Sequence, residues 1–401
     1  MRSRAIPAAA IMLLAPAPLC AGPLNPPAGP VAPTHKTLTQ VEPRTPIDAD
    51  TTPGDATSVS RISQPGSYYL TGNLAGQAGR SGIEVAAPGV TIDLNGFTLQ
   101  GVSGSLDAVR GTVAATALAV RNGTILGWGE DGADASAAEG ARITDLTVQQ
   151  CAGHGLVLVG DAAIARCVAR LNGGDGVRIL STSLQARTAS VSGCTSSGNS
   201  GNGFTAANGT AFAGCVAEGN GLDGFEAGGR ASLHNCVAMT NGIDGITVGA
   251  GSLVHTCVSG ANTDGGITGL TLAGSGVAII DCNATFNLGP GIVVTHQSVV
   301  RGNLCRSNAN NGGNDANIHV LGFGNHVEGN TCIQATRGID VDGAANVIVG
   351  NAVTGASAAA YDIIAGNVVG TVITAPISPA VVGGSGGAGA GTTDPRANLA
   401  Y

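Results

Sequence analysis

The chain of 401 residues has 65 glycines, 11% charged residues, 3% aromatics and a formal net charge of −8. It lacks the Gly-X-Y period of collagen and the Leu/Glu/Lys heptads of a coiled coil, and its 43% hydrophobic content is too high for a disordered chain. Lys36 is the sole lysine, no basic cluster exists, and no internal apolar run reaches the roughly 20 residues of a membrane helix, so nucleic-acid partners and a transmembrane segment are not expected.

Residues 1–21 read as an export signal: Arg2 and Arg4 precede the apolar stretch Ala8 to Ala15, and the small residues Ala21 and Gly22 mark a cleavage point. The expected location is therefore secreted, periplasmic or cell-surface. A lipid anchor on Cys20 is disfavoured because Leu19 stands where a small residue is needed. Residues 22–53 are Pro/Thr-rich and read as a linker. Residues 54–85, with Ser67-Tyr68-Tyr69-Leu70, read as an N-terminal cap or first coil.

From 86 to 375 the chain repeats itself. Six copies of Cys-x4-Asn-x3-Gly-[Val/Phe/Ile] run through Cys167, Cys194, Cys215, Cys236, Cys257 and Cys282, and their glycines step by 27, 21, 21, 21 and 25 residues. Asn303, Asn330 and Asn351 continue the Cys column further on. After each column glycine the residues alternate, as in Gly245-Ile246-Thr247-Val248, with the first and third apolar. Period two means a strand with one buried face. A second short segment precedes each Cys, as in Ala231-Ser232-Leu233. Segments this short, joined by Gly and Asn, predict an all-β solenoid: a right-handed parallel β-helix of about 21–27 residues per coil and roughly 10–12 coils.

That geometry accounts for the composition. Gly and Asn supply positive φ at turns, and a narrow interior favours Ala, Val and Ile over large rings. Stacked Asn side chains form amide ladders. Without Cys20, nine cysteines remain. Parallel stacking aims neighbouring Cβ vectors side by side, so buried free thiols are expected, with one or more bridges as the alternative. Residues 376–401 form a Gly/Ala-rich tail whose last four, Asn398-Leu399-Ala400-Tyr401, can fold back as a plug.

The Asn-x3-Gly-[Ile/Val/Phe] repeats and the entry motif Gly89-Val90-Thr91-Ile92-Asp93-Leu94-Asn95-Gly96 resemble the pectate-lyase-like superfamily of right-handed parallel β-helix repeat proteins, over roughly residues 80 to 370. The resemblance implies the fold. The superfamily spans polysaccharide lyases, polygalacturonase-type hydrolases, epimerases, tailspikes and adhesins, so it does not select an activity.

Candidate chemistry lies in two columns. The residue before each column glycine reads Asp131, His154, Asp175, Asn202, Asp223, Asp244, Gly265 and Pro290, and the polar position two after it reads Asp134, Val157, Arg178, Thr205, Glu226, Thr247, Thr268 and Val293. One cluster combines Asp131, His154, Asp175 and Arg178 as candidate catalytic groups, with Glu130, Asp134 and Trp128 beside them as substrate contacts; Trp128 offers a ring for stacking on a sugar. Carboxylates one or two coils apart have the separation used in glycoside hydrolysis. Gly153-His154-Gly155 and Arg178-Ile179-Leu180 resemble, in order, the Gly-His-Gly and Arg-Ile-Lys of polygalacturonase-type hydrolases, with Leu180 in place of the Lys and the paired-Asp motifs missing. A second cluster, Asp223, Glu226 and Asp244, offers oxygen ligands for Ca²⁺; otherwise no cofactor is expected. Both clusters also fit plain turn chemistry, in which Asp caps its own backbone. No shared spacing links His296, His319 and His326, so none receives a role. The expected function is a secreted β-helix that binds polysaccharide or another surface ligand, or is structural. The alternative is a polysaccharide-degrading hydrolase or lyase with its site around residues 128–178.

Overall fold

The computed structural model describes residues 42–112, 114–181, 188–271, 275–309, 316–374 and 394–401. The export signal, Cys20, most of the 22–53 segment and residues 375–393 of the tail lie outside them. Arg44–Tyr401 form one unit.

Each coil is built from three strands. In one coil Ile246–Val248 follows the column glycine, Leu253–His255 precedes Cys257, and Val258–Gly260 follows it. Strands of the first kind stack into a 14-stranded sheet running from Ser58–Ile62 to Ala359–Ile363, here called the first face. The other two kinds join in a 28-stranded sheet. Neighbouring coils pair in parallel, with Ile246 beside Phe225 and Ile267. The result is a parallel β-solenoid of 14 coils. The expected 10–12 was too few because several coils keep the strand alternation and lose the glycine signature. The register puts Ala108, Asn317 and Ala360 where other coils have the column glycine.

The extra residues of the 27- and 25-residue steps fall between Leu180 and Ser190 and between Gly269 and Ala278, both on the connection from the first face to the second strand. At the ends, Thr45–Ile47 pairs with Tyr68–Leu70, and Asn398–Ala400 pairs with Ala352–Thr354 on one side and Val372–Thr374 on the other.

Turn chemistry differs from the sequence expectation in one respect. The column glycines do not have positive φ; they are needed for closeness. A Cβ on Gly224 would stand 2.5 Å from the Gly245 carbonyl oxygen and 2.7 Å from Asn241 Nδ2. The left-handed residues sit instead just before the Cys and just before the Asn, as at Thr256 (φ 53°) and Ala261 (φ 54°). Left-handed backbone costs a non-glycine residue about 1–2 kcal/mol. A buried amide ladder offsets that cost. Asn241 Oδ1 accepts from both the backbone N–H (3.1 Å) and Nδ2 (3.0 Å) of Asn220, while Asn241 Nδ2 donates to Ala217 O and Asn262 Oδ1. The same ladder runs from Asn172 to Asn308. A second begins where the Cys column ends: Cys282 N donates to Asn303 Oδ1, and Asn303, Asn330, Asn351 and Asn398 follow.

Ile, Val, Leu and Ala fill most of the interior. Large rings enter it too, contrary to expectation. Phe204 and Phe225 stack at 4.8 Å between centroids and Phe212 meets both edge-on. Ala206, Ala217 and Ala227 are buried in the same coils and leave the room. All nine described cysteines are buried and free. No helix among the described residues is long and apolar enough to cross a membrane.

Candidate functional site

Alternation on the first face sends every second side chain outward, and parallel pairing stacks those side chains in one line. Its members, paired coil to coil, are Arg61, Glu84, Arg110, Asp134, Val157, Arg178, Thr205, Glu226, Thr247, Thr268, Val293, His319, Asp340 and Asp362. The middle of this line, from Asp134 to Val293, is the one read from the sequence. Its acidic and basic ends were not read.

The pre-glycine column beside it is a hydrogen-bonded ladder. The backbone N–H of Asp131 donates to Asp107 Oδ1, that of His154 to Asp131 Oδ1, and that of Asp175 to His154 Nδ1. Asn202, Asp223, Asp244 and Gly265 continue it, each N–H bonded to the preceding side chain at 2.7–3.0 Å. One acceptor of every side chain from Asp107 to Asp244 is thus committed to holding adjacent coils together. Asp107 was missed because Ala108, not glycine, follows it.

The first cluster assembles in part. His154, Asp175 and Arg178 meet: Arg178 Nη1 lies 3.2 Å from His154 Nε2 and 3.9 Å from Asp175 Oδ2. The ladder bond takes the Nδ1 lone pair, so a neutral ring carries its proton on Nε2 and meets Arg178 donor to donor, not through a hydrogen bond. The imidazole lone pair a general base would use is therefore already taken. Asp134 lies in the outward line, and its Oδ1 accepts the Ser136 N–H. Glu130 is exposed at the coil corner. Trp128 corrects the sequence reading. It is 1% exposed, its Nε1 donates to Leu99 O at 3.0 Å, and its ring fills the space beside Gly76 and Gly82. No sugar reaches it.

Charge accumulates on the ladder. Burial pushes the Asp107 carboxyl up to about 7, and Asp134, Asp131 and Glu130 add to the rise by repulsion. Asp131 is raised for the same first reason. Burial also lifts Asp223 to about 6, with Asp244 and Glu226 repelling its charged form.

The proposed Ca²⁺ ligands are not brought to one point. Asp223 Oδ1 and Asp244 Oδ1 accept ladder N–H groups, and Glu226 Oε2 accepts from Asn202 Nδ2 at 2.7 Å. Ca²⁺ wants six to eight converging oxygens, and these residues do not fit it. Glu226 instead lines a groove. Thr205, Glu226, Thr247 and Leu270 surround a shallow groove on the first face, floored at Gly228 and Gly249, where no side chain fills the end of the strand. Asn202 Nδ2 also holds Thr205 Oγ1 at 2.9 Å, and Thr247 Oγ1 donates to Asp244 Oδ2. The groove thus presents hydroxyls, one carboxylate and one exposed leucine on a rigid frame.

A family model described as a right-handed β-helix region matches residues 130–275. The A-module of a mannuronan C-5 epimerase from Azotobacter vinelandii is similar at 16% identity, with a TM-score of 0.52 over 76% of this chain and 91% of that one. A second mannuronan C-5 epimerase A-module from that organism gives 16% identity and a TM-score of 0.46, covering 76% of this chain and 91% of that one. A DFA-IIIase of Arthrobacter chlorophenolicus gives 10% and 0.40, covering 71% and 83%. No curated protein matches. The chain is folded as a right-handed parallel β-helix, and the likeness to the first of these modules carries that fold alone.

Proposed function

We propose that this is an exported, non-catalytic β-helix that binds a neutral or amino-sugar polysaccharide along the first face. The groove at Thr205, Glu226, Thr247 and Leu270 carries the proposal. Polysaccharides are recognised by hydrogen bonds to hydroxyls together with apolar contact against ring faces, on a surface that need not reorganise. Threonine hydroxyls, a carboxylate and a leucine at coil spacing supply those groups. Glu226 lines the groove and Asp244 bonds the Thr247 hydroxyl on its wall, while the nearest cation in the outward line is Arg178, two coils from Glu226. That balance disfavours pectate and alginate and favours neutral or cationic chains.

The committed ladder acceptors and the buried Trp128 weigh against a hydrolase or lyase around residues 128–178. The test is a panel of neutral, cationic and anionic polysaccharides in affinity gel electrophoresis, with reducing ends and unsaturated products monitored in parallel. Retardation by a neutral or amino-sugar polymer without product supports the proposal. Turnover of any polymer, or binding confined to the anionic ones, overturns it. Export is tested by N-terminal sequencing of protein recovered from outside the cytoplasm; a mature chain still beginning at Met1 contradicts it.

A further inference from the structure

Further along the first face the outward line holds a polar group that the groove does not use. His319 lies on strand Ala316–Val320 and pairs directly with Asp340 on strand Arg337–Val341. Alternation turns Val341 inward, fully buried, and so returns Asp342 to the side of Asp340. The Asp342 N–H is tied to Val320 O at 2.9 Å, which fixes where that carboxylate emerges.

We propose that His319, Asp340 and Asp342 bind a divalent transition-metal cation of the zinc type. Their ligand atoms all lie within 4.8 Å of one another. His319 Nε2 is 3.0 Å from Asp342 Oδ2 and 3.8 Å from Asp340 Oδ2. Ligands about 2.0–2.1 Å from a tetrahedral ion stand roughly 3.4 Å apart, and the two distances bracket that edge. One imidazole and two carboxylates make a mixed nitrogen and oxygen set with a position left open, which suits zinc-type ions better than Ca²⁺ or Mg²⁺.

The neighbours complete the picture. Arg337 Nη1 bonds Asp340 Oδ2 at 3.2 Å and Arg337 Nε bonds Asp362 Oδ2 at 2.9 Å. The guanidinium thus holds the same Asp340 oxygen that faces His319 and fixes where that carboxylate sits, as outer-shell partners of metal ligands do. Arg337 shares its one charge between Asp340 and Asp362, so the carboxylates of Asp340, Asp342 and Asp362 outnumber it and the excess favours a divalent ion. Asp340 is 5% exposed and Asp342 more than half exposed, so the cluster has a fixed buried carboxylate on one side and opens to solvent at the other. The position escaped the sequence reading because Asn317 replaces the column glycine two residues before His319. The site shares no residue with the groove, so either reading can fail alone.

The test is calorimetric titration of untagged, chelator-treated full chain with Zn²⁺, together with the visible spectrum of the Co²⁺ form. Saturable binding is expected, with a tetrahedral Co²⁺ spectrum. H319A and D342N should each weaken it at least about tenfold. H255A is the control, since His234 and His255 stack at 5.4 Å beside Asp281 and form a close imidazole pair outside the site. Asp342 is more than half exposed, so D342N folds as the parent does. No saturable binding, or binding lost in H255A and kept in H319A and D342N, overturns the proposal.

Discussion

His154 accepts the backbone N–H of Asp175 at 2.8 Å through Nδ1, taking the place that an Asp or Asn oxygen has in the coils beside it. A residue that looks like an acid–base group in the sequence is a rung of the ladder. Asn offers an acceptor atom at nearly the same distance from the backbone, so H154N should unfold close to the wild type. H154A leaves a buried N–H without a partner and should cost about 1–3 kcal/mol. Chemical denaturation of the two variants checks this, and equal loss in both would mean that the ring acts by something other than Nδ1.

The amide ladder and the column glycines should be the most sensitive structural positions. Asn241 makes bonds to the coils on either side, and N241A strands several of their groups at once. A loss of about 2–3 kcal/mol is expected. G224A forces a methyl against the Gly245 carbonyl and should cost about 1–3 kcal/mol. Replacing Gly209, where φ is +81° and only a flexible threonine methyl is near, should cost through backbone strain alone. Thermal melts of the three variants separate crowding from strain.

Stability should fall as pH rises. Asp107 holds its proton up to about 7 in the folded chain, against about 4 when unfolded. Between those values only the folded state binds the proton, so folding is favoured at the acid end and that advantage is lost as pH rises through 7. Asp223 acts in the same direction up to about 6. Tm should therefore be higher at pH 5 than at pH 8. D107N keeps the acceptor for Asp131 N and removes the charge, so it should flatten that difference by raising Tm at pH 8. A pH profile unchanged in D107N would remove Asp107 as its source.

Thiol chemistry should report the core directly. The described cysteines are buried and free, and burial pushes the Cys151 thiol up to about 11. Native protein should react with a thiol reagent hardly at all, and denatured protein should release every described cysteine without a reductant. Fewer thiols after denaturation would reveal bridges.

The fold was legible because the repeat is written in two independent periods. The Cys-Asn-Gly signature set the coil, and the alternation after Gly176, Gly203 and Gly245 set which side chains share a line, so the outward line from Asp134 to Val293 follows from counting. What the sequence hid depends on contacts between coils. Trp128 stands between Gly127 and Gly129 and reads as a loop aromatic; it goes inward because Gly76 and Gly82, far back in the chain, leave a slot for its ring. The acids of the pre-glycine column look alike as catalytic groups or as turn residues, and only the bond from each side chain to the next N–H separates the two. The 319–342 cluster was hidden by one substitution in the glycine column, at Asn317.

The most direct measurement is polysaccharide affinity of the wild type against a T205A/E226Q/T247A variant, with the melting temperature followed in parallel. These side chains point outward from the first face and leave the Asn and Asp ladders and the apolar interior intact, so the variant should fold. If the groove holds the polymer, one bound by the wild type is bound at least about tenfold more weakly by the variant, equivalent to roughly 1.4 kcal/mol, at nearly unchanged stability. Undiminished binding by the folded variant would contradict it.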